Sequence, residues 1–149
     1  MAFRFSLQAV LRCRESFERR ERQRLQMIVR EVVKAQQQRD QAKLDRGIAL
    51  AEFQKRLHNG MKVMEMRFEL ASDRARLRQI SVMNDHSTKL EDLRRRQLEV
   101  FRKAQQQRKI LENLRERQYA AYQLIQARRD QQEMDDRFLL THATQFSSS

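Results

Sequence analysis

The sequence predicts an all-α fold, a long antiparallel coiled-coil hairpin of two helices. The chain of 149 residues has no Pro and only two Gly, so little in it interrupts a helix. Ala, Leu, Gln, Glu, Lys and Arg dominate the composition, as they do in long helices and coiled coils. An apolar repeat of 3.5 residues and one clear turn signal then define the two helices.

The first helix is predicted over residues 3–57. Steps of four and three from Leu7 to Phe53 give fourteen positions, of which nine are apolar. This is the spacing of a coiled-coil seam, the line of residues that faces the partner helix. The apolar positions are Leu7, Leu11, Leu25, Ile28, Val32, Ala35, Ala42, Ala49 and Phe53. The polar positions are Arg14, Glu18, Glu21, Arg39 and Arg46, so the pairing should be weaker than in a leucine zipper.

The bend is predicted at residues 58–61, because Asn59 and Gly60 tolerate the left-handed conformation that ends a helix. A second helix over residues 62–140 follows. Its first apolar stretch is Met64, Phe68, Ala71, Ala75 and Val82. The second stretch is Leu90, Leu93, Val100, Ala104, Leu111, Leu114, Ala121 and Ile125. The two stretches are out of phase by one residue, and the slip falls in residues 81–88, whose small polar side chains disfavour helix interiors. This segment is either a kink or, as the rival model, a bend near residue 84.

The two arms are unequal if the chain bends near residue 60. Residue 3 would then lie beside about residue 117, and residues 118–140 would extend past the partner helix. The tail, residues 144–149, is small and polar and should fray.

The sequence gives no support for an enzyme, a metal-binding protein or a membrane-spanning protein. Two glycines cannot build a phosphate-binding loop, and no nucleophile or zinc-protease motif occurs. Three scattered histidines and the single Cys13 do not give the spacing of a metal site, so no cofactor is expected. No apolar run is long enough to span a bilayer or to serve as a secretory signal. We therefore expect a nonenzymatic cytoplasmic protein.

The remaining candidates are surfaces that bind proteins. Methionines gather beside the bend, where Met64 and Phe68 are predicted as seam and Met61 and Met66 as contacts for a partner. At the other end, many arginines from both helices form a pole that could enter an acidic ring. The acidic residues Glu133, Asp135 and Asp136 are interpreted as a solvated helix face.

The net charge of +12 supports a second interpretation, a basic coiled coil that binds nucleic acid or an anionic membrane. Acidic residues are mixed in at helical spacing, which is typical of a solvated helix. Aromatic residues are only 7% and scattered, so no platform for stacking bases is visible and no nucleic acid is expected as a partner.

Two blocks of sequence resemble the FliJ family. Residues 3–12, FRFSLQAVLR, followed by Arg14 and Glu15, are similar to the F-x-F-x-L-Q-x-V-L-x-x-R-E opening of that family. Residues 114–118, LRERQ, and then residues 129–135, RDQQEMD, are similar to its C-terminal pattern of E-R-x, a basic stretch and a terminal M-D. The resemblance spans nearly the whole chain.

This resemblance implies a component of the flagellar type III export apparatus whose fold is similar to the coiled-coil part of the rotary ATPase γ subunit. The implied partners are the hexameric export ATPase with its regulator, the cytoplasmic domain of the export gate, and export chaperones, at the cytoplasmic face of the inner membrane. A virulence secretion system, in which analogous stalks serve similar ATPases, is the alternative. The candidate ATPase-binding residues are Arg12, Arg14, Arg117, Arg128 and Arg129. The candidate gate-binding residues are Gln38, Ala42, Asp45, Ala49, Met61, Met66, Phe68, Ser72, Ala75 and Gln79.

Overall fold

Two long α-helices make up almost all of the described chain. The structure, a computed structural model, describes residues 2–147. Helix α1 spans Gln8–His58, which is 51 residues, and helix α2 spans Val63–Ser147, which is 85 residues. Within residues 2–147 there is no strand. The helices pack antiparallel through side-chain pairs between them, so the predicted all-α fold of two paired helices is confirmed.

Helix α1 begins at Gln8, five residues after the expected start. The Gln8 amide donates to the Phe5 carbonyl at 3.1 Å, which forms a turn before the first helical residue. The Phe5 side chain is buried, and the ring of Phe3 lies edge-on to Tyr119 with centroids 5.2 Å apart. Packing against α2 therefore holds these N-terminal residues outside the helix.

The chain reverses direction at residues 59–62. The amides of Asn59 and Gly60 donate to the carbonyls of Lys55 and Leu57, both at 3.2 Å. Gly60 has a φ of 94°, in the left-handed region that costs a residue with a Cβ atom free energy. Glycine at this position therefore allows α1 to end and α2 to begin at Val63.

Residues 81–88, where a kink or a rival bend was expected, are helical throughout. Ser87 is buried against α1, and the Thr88 hydroxyl donates to the Asn84 carbonyl at 3.0 Å within the helix. A hydroxyl satisfied inside the helix no longer competes for the backbone, so these small polar residues do not interrupt α2. Helix α2 also includes residues 144–147 of the expected frayed tail. Residues 148 and 149 of that tail lie outside the described residues.

The predicted α1 seam is confirmed, because all fourteen of its positions are buried or half-buried. This includes the polar positions. Glu18 and Glu21 expose only 4% and 3% of their surface, while Leu11 is fully buried. The 3.5-residue repeat therefore located the contact face of α1 even where charged residues occupy it.

The α2 seam differs from the prediction. It runs from Met66 to Leu111 in one uninterrupted phase, so the predicted one-residue slip is wrong. Its positions are Met66, Glu69, Asp73, Arg76, Ile80, Met83, Ser87, Leu90, Arg94, Gln97, Phe101, Ala104, Arg108 and Leu111. The apolar residues predicted for the first stretch are exposed instead, as are four from the second stretch. The exposed residues are Met64, Phe68, Ala71, Ala75, Val82, Leu93, Val100, Ala121 and Ile125.

The contacts divide the chain into two compact units. Unit 1 consists of Met1–Glu18 and Ala104–Ser149, and unit 2 consists of Arg19–Lys103. In each unit a stretch of α1 packs antiparallel against a stretch of α2. Unit 2 contains the turn, and unit 1 contains both chain ends.

Polar seam residues are paired across the two helices. In unit 1, Arg108 donates to Glu18 and also to Glu112. These two carboxylates, Glu112 first, raise the pKa of the Arg108 guanidinium. Arg14 Nη1 donates to Gln107 Oε1 at 2.6 Å. Each buried charge therefore has a partner, as burial of a charge requires.

Unit 2 repeats this arrangement. Arg46 binds Asp73 through two hydrogen bonds, at 2.8 and 3.2 Å. Gln97 donates to the Glu21 carboxylate. The remaining pairs are Arg56 with Glu69 at 2.8 Å and Gln36 with Glu91 at 3.1 Å. No buried side-chain nitrogen or oxygen of the described residues lacks a hydrogen-bond partner.

The Arg46–Asp73 pair predicts a pH dependence of stability. The hydrogen bonds from Arg46 hold the pKa of the Asp73 carboxyl below its usual value. Because the folded pKa is lowered, the contribution is present above the unfolded value of about 4 and is lost as pH falls through the folded value. We expect the melting temperature to fall less between pH 6 and pH 3 in Asp73→Asn than in the wild type. Asp92→Asn, at an exposed carboxyl 4.0 Å from Arg95, is the matched control and should keep the wild-type pH dependence. Equal slopes for Asp73→Asn and the wild type would contradict the assignment.

Candidate protein-binding surfaces

The end of unit 1 where residues 3–5 meet α2, which we call the open end, carries aromatic side chains. Phe3 lies 5.2 Å from Tyr119 and 5.5 Å from Tyr122, measured between ring centroids. Sequence reasoning placed Phe3 beside about residue 117, close to this position. A groove of about 580 Å³ beside Phe3 is lined by Glu112, Arg115, Glu116 and Tyr119. The last turns of the helix pair therefore present an aromatic and charged surface.

Beyond Tyr122, helix α2 continues as an exposed extension within unit 1. Of residues 123–147, all are exposed except Gln126, which is half-buried. Exposed apolar side chains lie along this extension, and they are Leu124, Ile125, Met134, Phe138, Leu139, Leu140 and Phe146. A single helix that leaves such residues in water offers them to another molecule.

Four of the five arginines predicted to bind the ATPase are exposed in unit 1. They are Arg12, Arg117, Arg128 and Arg129. The fifth, Arg14, is half-buried on the seam and donates to Gln107. Arg14 therefore contributes to the helix pairing, and the four others are accessible to a partner.

The two edges of the helix pair can be distinguished by simple geometry. On each helix, the residue before a seam position and the residue after it lie on opposite sides of the seam. Gln36 and Glu91 each follow a seam residue, and they hydrogen-bond to each other. The following residues of both helices therefore share one edge, and the preceding residues share the other, which we call the preceding edge.

Most of the predicted gate-binding residues lie together on the preceding edge of unit 2. Gln38, Asp45, Phe68, Ser72, Ala75 and Gln79 each precede a seam residue, and Ala42 and Ala49 are on the seam itself. Four of them, Gln38, Ala42, Asp45 and Gln79, line one groove of about 610 Å³ with Arg76, Ile80 and Met83. The structure thus brings these four predicted residues together in one groove.

The methionines and Phe68 beside the turn differ from the prediction. Met64 and Phe68 were predicted as seam residues but expose 75% and 71% of their surface. Met66, predicted as a contact for a partner, lies half-buried on the seam, and Met61 is half-buried as well. The physical reason is that the seam here is built from charged pairs, Arg46 with Asp73 and Arg56 with Glu69.

Sequence reasoning missed this exposed apolar stripe of α2, which we define as Met64, Phe68, Ala71, Ala75 and Val82. The signal that could have revealed it is the spacing of opposite charges. Arg46 and Arg56 match Asp73 and Glu69 across a turn at residue 60, as ion pairs on a seam would.

Other kinds of site have little basis among the described residues. Within residues 2–147, no three His, Cys, Asp or Glu side chains lie close enough together to hold a metal ion. Cys13 is a free, exposed thiol. Neither helix has, in its described part, a stretch apolar enough to cross a bilayer.

Comparison with protein families gave a match to the model described as Flagellar FliJ protein, over residues 3–145. The search of curated proteins gave no significant match. The search of solved structures gave none either. The family match covers both blocks of sequence that resemble FliJ and the segment between them. The chain belongs to the FliJ family and is therefore a nonenzymatic component of flagellar protein export.

Proposed function

We propose that this protein couples the hexameric export ATPase to the export gate and escorts export chaperones between them. The observation that supports this most directly is the separation of two chemically different surfaces. Exposed arginines and the exposed extension of α2 lie in unit 1, whereas the polar groove and the apolar stripe lie in unit 2. ATP hydrolysis belongs to the partner, because the chain lacks a phosphate-binding loop.

The open end of unit 1 is the proposed site for the ATPase and its regulator. The extension of α2 beyond Tyr122 is a single helix that exposes both apolar side chains and arginines. Such a helix can bury its apolar residues inside a ring while arginines pair with carboxylates at the ring entrance. The site of action proposed here is the cytoplasmic face of the inner membrane at the flagellar base.

The preceding edge of unit 2 near the turn is the proposed site for the cytoplasmic domain of the gate. Phe68 is exposed on this edge, and a groove farther along unit 2 offers amide and carboxylate groups from Gln38, Asp45 and Gln79. Aromatic anchors together with polar groups are the usual composition of a protein interface.

The alternative, a stalk in a virulence secretion system, predicts that the same two surfaces act in that system. Membership of the flagellar family favours the flagellar assignment. The nucleic-acid alternative has the net charge of +12 in its favour, and it predicts binding that weakens steeply with salt. Consider cells whose only copy of this protein is altered at both proposed surfaces. Both alternatives predict that such cells swim normally.

Charge reversal at the open end should abolish ATPase binding. We expect the triple variant Arg117→Glu, Arg128→Glu and Arg129→Glu to bind the export ATPase at least about tenfold more weakly, a loss of about 1.4 kcal/mol. Copurification and the diameter of swimming halos are the measurements. Reversal of three exposed arginines elsewhere, Arg30, Arg95 and Arg102, is the matched control and should bind normally. Unchanged ATPase binding by the first triple variant would remove the open end as the site.

Truncation of the aromatic anchor should weaken gate binding alone. Because Phe68 is 71% exposed, Phe68→Ser should leave the melting temperature nearly unchanged. Its affinity for the gate's cytoplasmic domain should fall about tenfold, with ATPase binding retained. Titration calorimetry measures the first effect, and copurification measures the second.

The control for this variant is Met27→Ser, which removes a side chain of similar exposure far along the sequence from the turn. It should bind the gate as the wild type does. If Phe68→Ser and Met27→Ser bound the gate equally well, the preceding edge near the turn would not be the gate site.

A further inference from the structure

A second stretch of the preceding edge in unit 2 is strongly basic. Between residues 20 and 27 of α1 and residues 93 and 103 of α2, the residues that precede seam positions include four cations and no carboxylate. The members of this basic edge are Arg20, Arg24, Arg96, Lys103, Met27, Leu93 and Val100. The apolar members are all exposed, so this edge combines positive charge with apolar surface.

The cations of the basic edge are largely free to bind a partner. Arg24 pairs with Glu21 at 3.0 Å but keeps 64% of its side-chain surface exposed. Arg20, Arg96 and Lys103 have no carboxylate partner among the described residues. Unpaired like charges held along one edge repel one another, and an acidic partner would relieve that repulsion.

The chain itself carries an acidic helix with the complementary composition. Residues 130–136 of α2 contain Asp130, Glu133, Asp135 and Asp136 and no basic residue. Met134 and Phe138 are spaced four residues apart, so they form one apolar stripe, with 65% and 61% of their surfaces exposed. By helical geometry Asp130 lies one turn before Met134 in the same row, and Glu133 and Asp135 flank the stripe on opposite sides.

We infer that this acidic segment, residues 130–138, in which four carboxylates outnumber the single cation Arg137, docks on the basic edge of a second copy of the chain. Residues 130–140 extend about 15 Å along a helix, the same distance as residues 93–103. Met134 and Phe138 would pack against Leu93, Val100 and Met27, as a third helix packs on a coiled coil. The flanking carboxylates would then approach the cations of the edge. A second copy is the indicated occupant because one chain carries both complementary surfaces.

This self-association uses part of the α2 extension that is the proposed ATPase site, although its test requires no ATPase. A chain whose acidic segment is docked on another copy cannot offer that segment to a different partner. Free protein would therefore be held in a self-associated form, and binding of a partner to the α2 extension would release it by mass action.

Complementary charge reversal tests the inference. Under reducing conditions, the wild type should sediment as a self-associating species in about 0.1 M salt and as a monomer in about 1 M salt, where charges are screened beyond about 3 Å. The edge variant Arg96→Glu with Lys103→Glu should associate at least about tenfold more weakly. The segment variant Asp130→Lys with Asp135→Lys should do the same. Mixing the two variants should restore association, because the reversed segment then meets the reversed edge.

The matched control reverses two cations on the opposite edge of the same unit. Arg19 and Arg102 each follow a seam residue, so Arg19→Glu with Arg102→Glu should associate like the wild type. If the wild type stays monomeric in low salt at every concentration, the assignment is overturned. The basic edge would then be a site for a helix of another protein. Failure of the mixed variants to associate would overturn it as well.

Discussion

The structure depends on the pairing of charged and amide side chains within the seam of the two helices. Buried Glu18 and Glu21 would each cost several kcal/mol if left without a donor, which Arg108 and Gln97 supply. Such pairs are selective in a way that apolar contacts are not. A slide of one heptad would still place apolar residues against each other, but it would separate Arg46 from Asp73. The polar positions thus weaken the seam and specify its register.

This requirement also explains why binding surfaces lie outside the seam. Because the contact face of α2 near the turn is filled by Glu69, Asp73 and Arg76, the apolar residues Met64 and Phe68 remain in water. In an ordinary coiled coil these apolar residues would be the core. Here charged pairs occupy the contact face, and the apolar residues are available to a partner. The same separation leaves Met27, Leu93 and Val100 exposed on the basic edge.

Sequence periodicity was informative where one apolar repeat dominates and misleading where two compete. In α1, the repeat from Leu7 to Phe53 identified the contact face, including its charged members. In α2, the apolar repeat led to the prediction that Met64 and Phe68 lie on the seam. The pattern of apolar residues does not reveal which charged side chains pair across the turn. The grouping of Gln38, Ala42, Asp45 and Gln79 followed from the turn position and the repeat together. The exposure of the basic edge required the structure.

Cross-linking across the seam tests whether the polar pairs set the register. The side-chain ends of Gln36 and Glu91 hydrogen-bond in the observed register, so cysteines at these positions, in a Cys13→Ser background, should be joined within one chain by a short bismaleimide reagent. Cysteines shifted by one heptad, at 36 with 84 or 36 with 98, should not. The account predicts that replacing Glu21, Gln97, Arg46 and Asp73 with Leu makes the shifted pairs reactive too. Shifted pairs that stay unreactive in the Leu variant would show that apolar contacts alone fix the register, and would contradict the account.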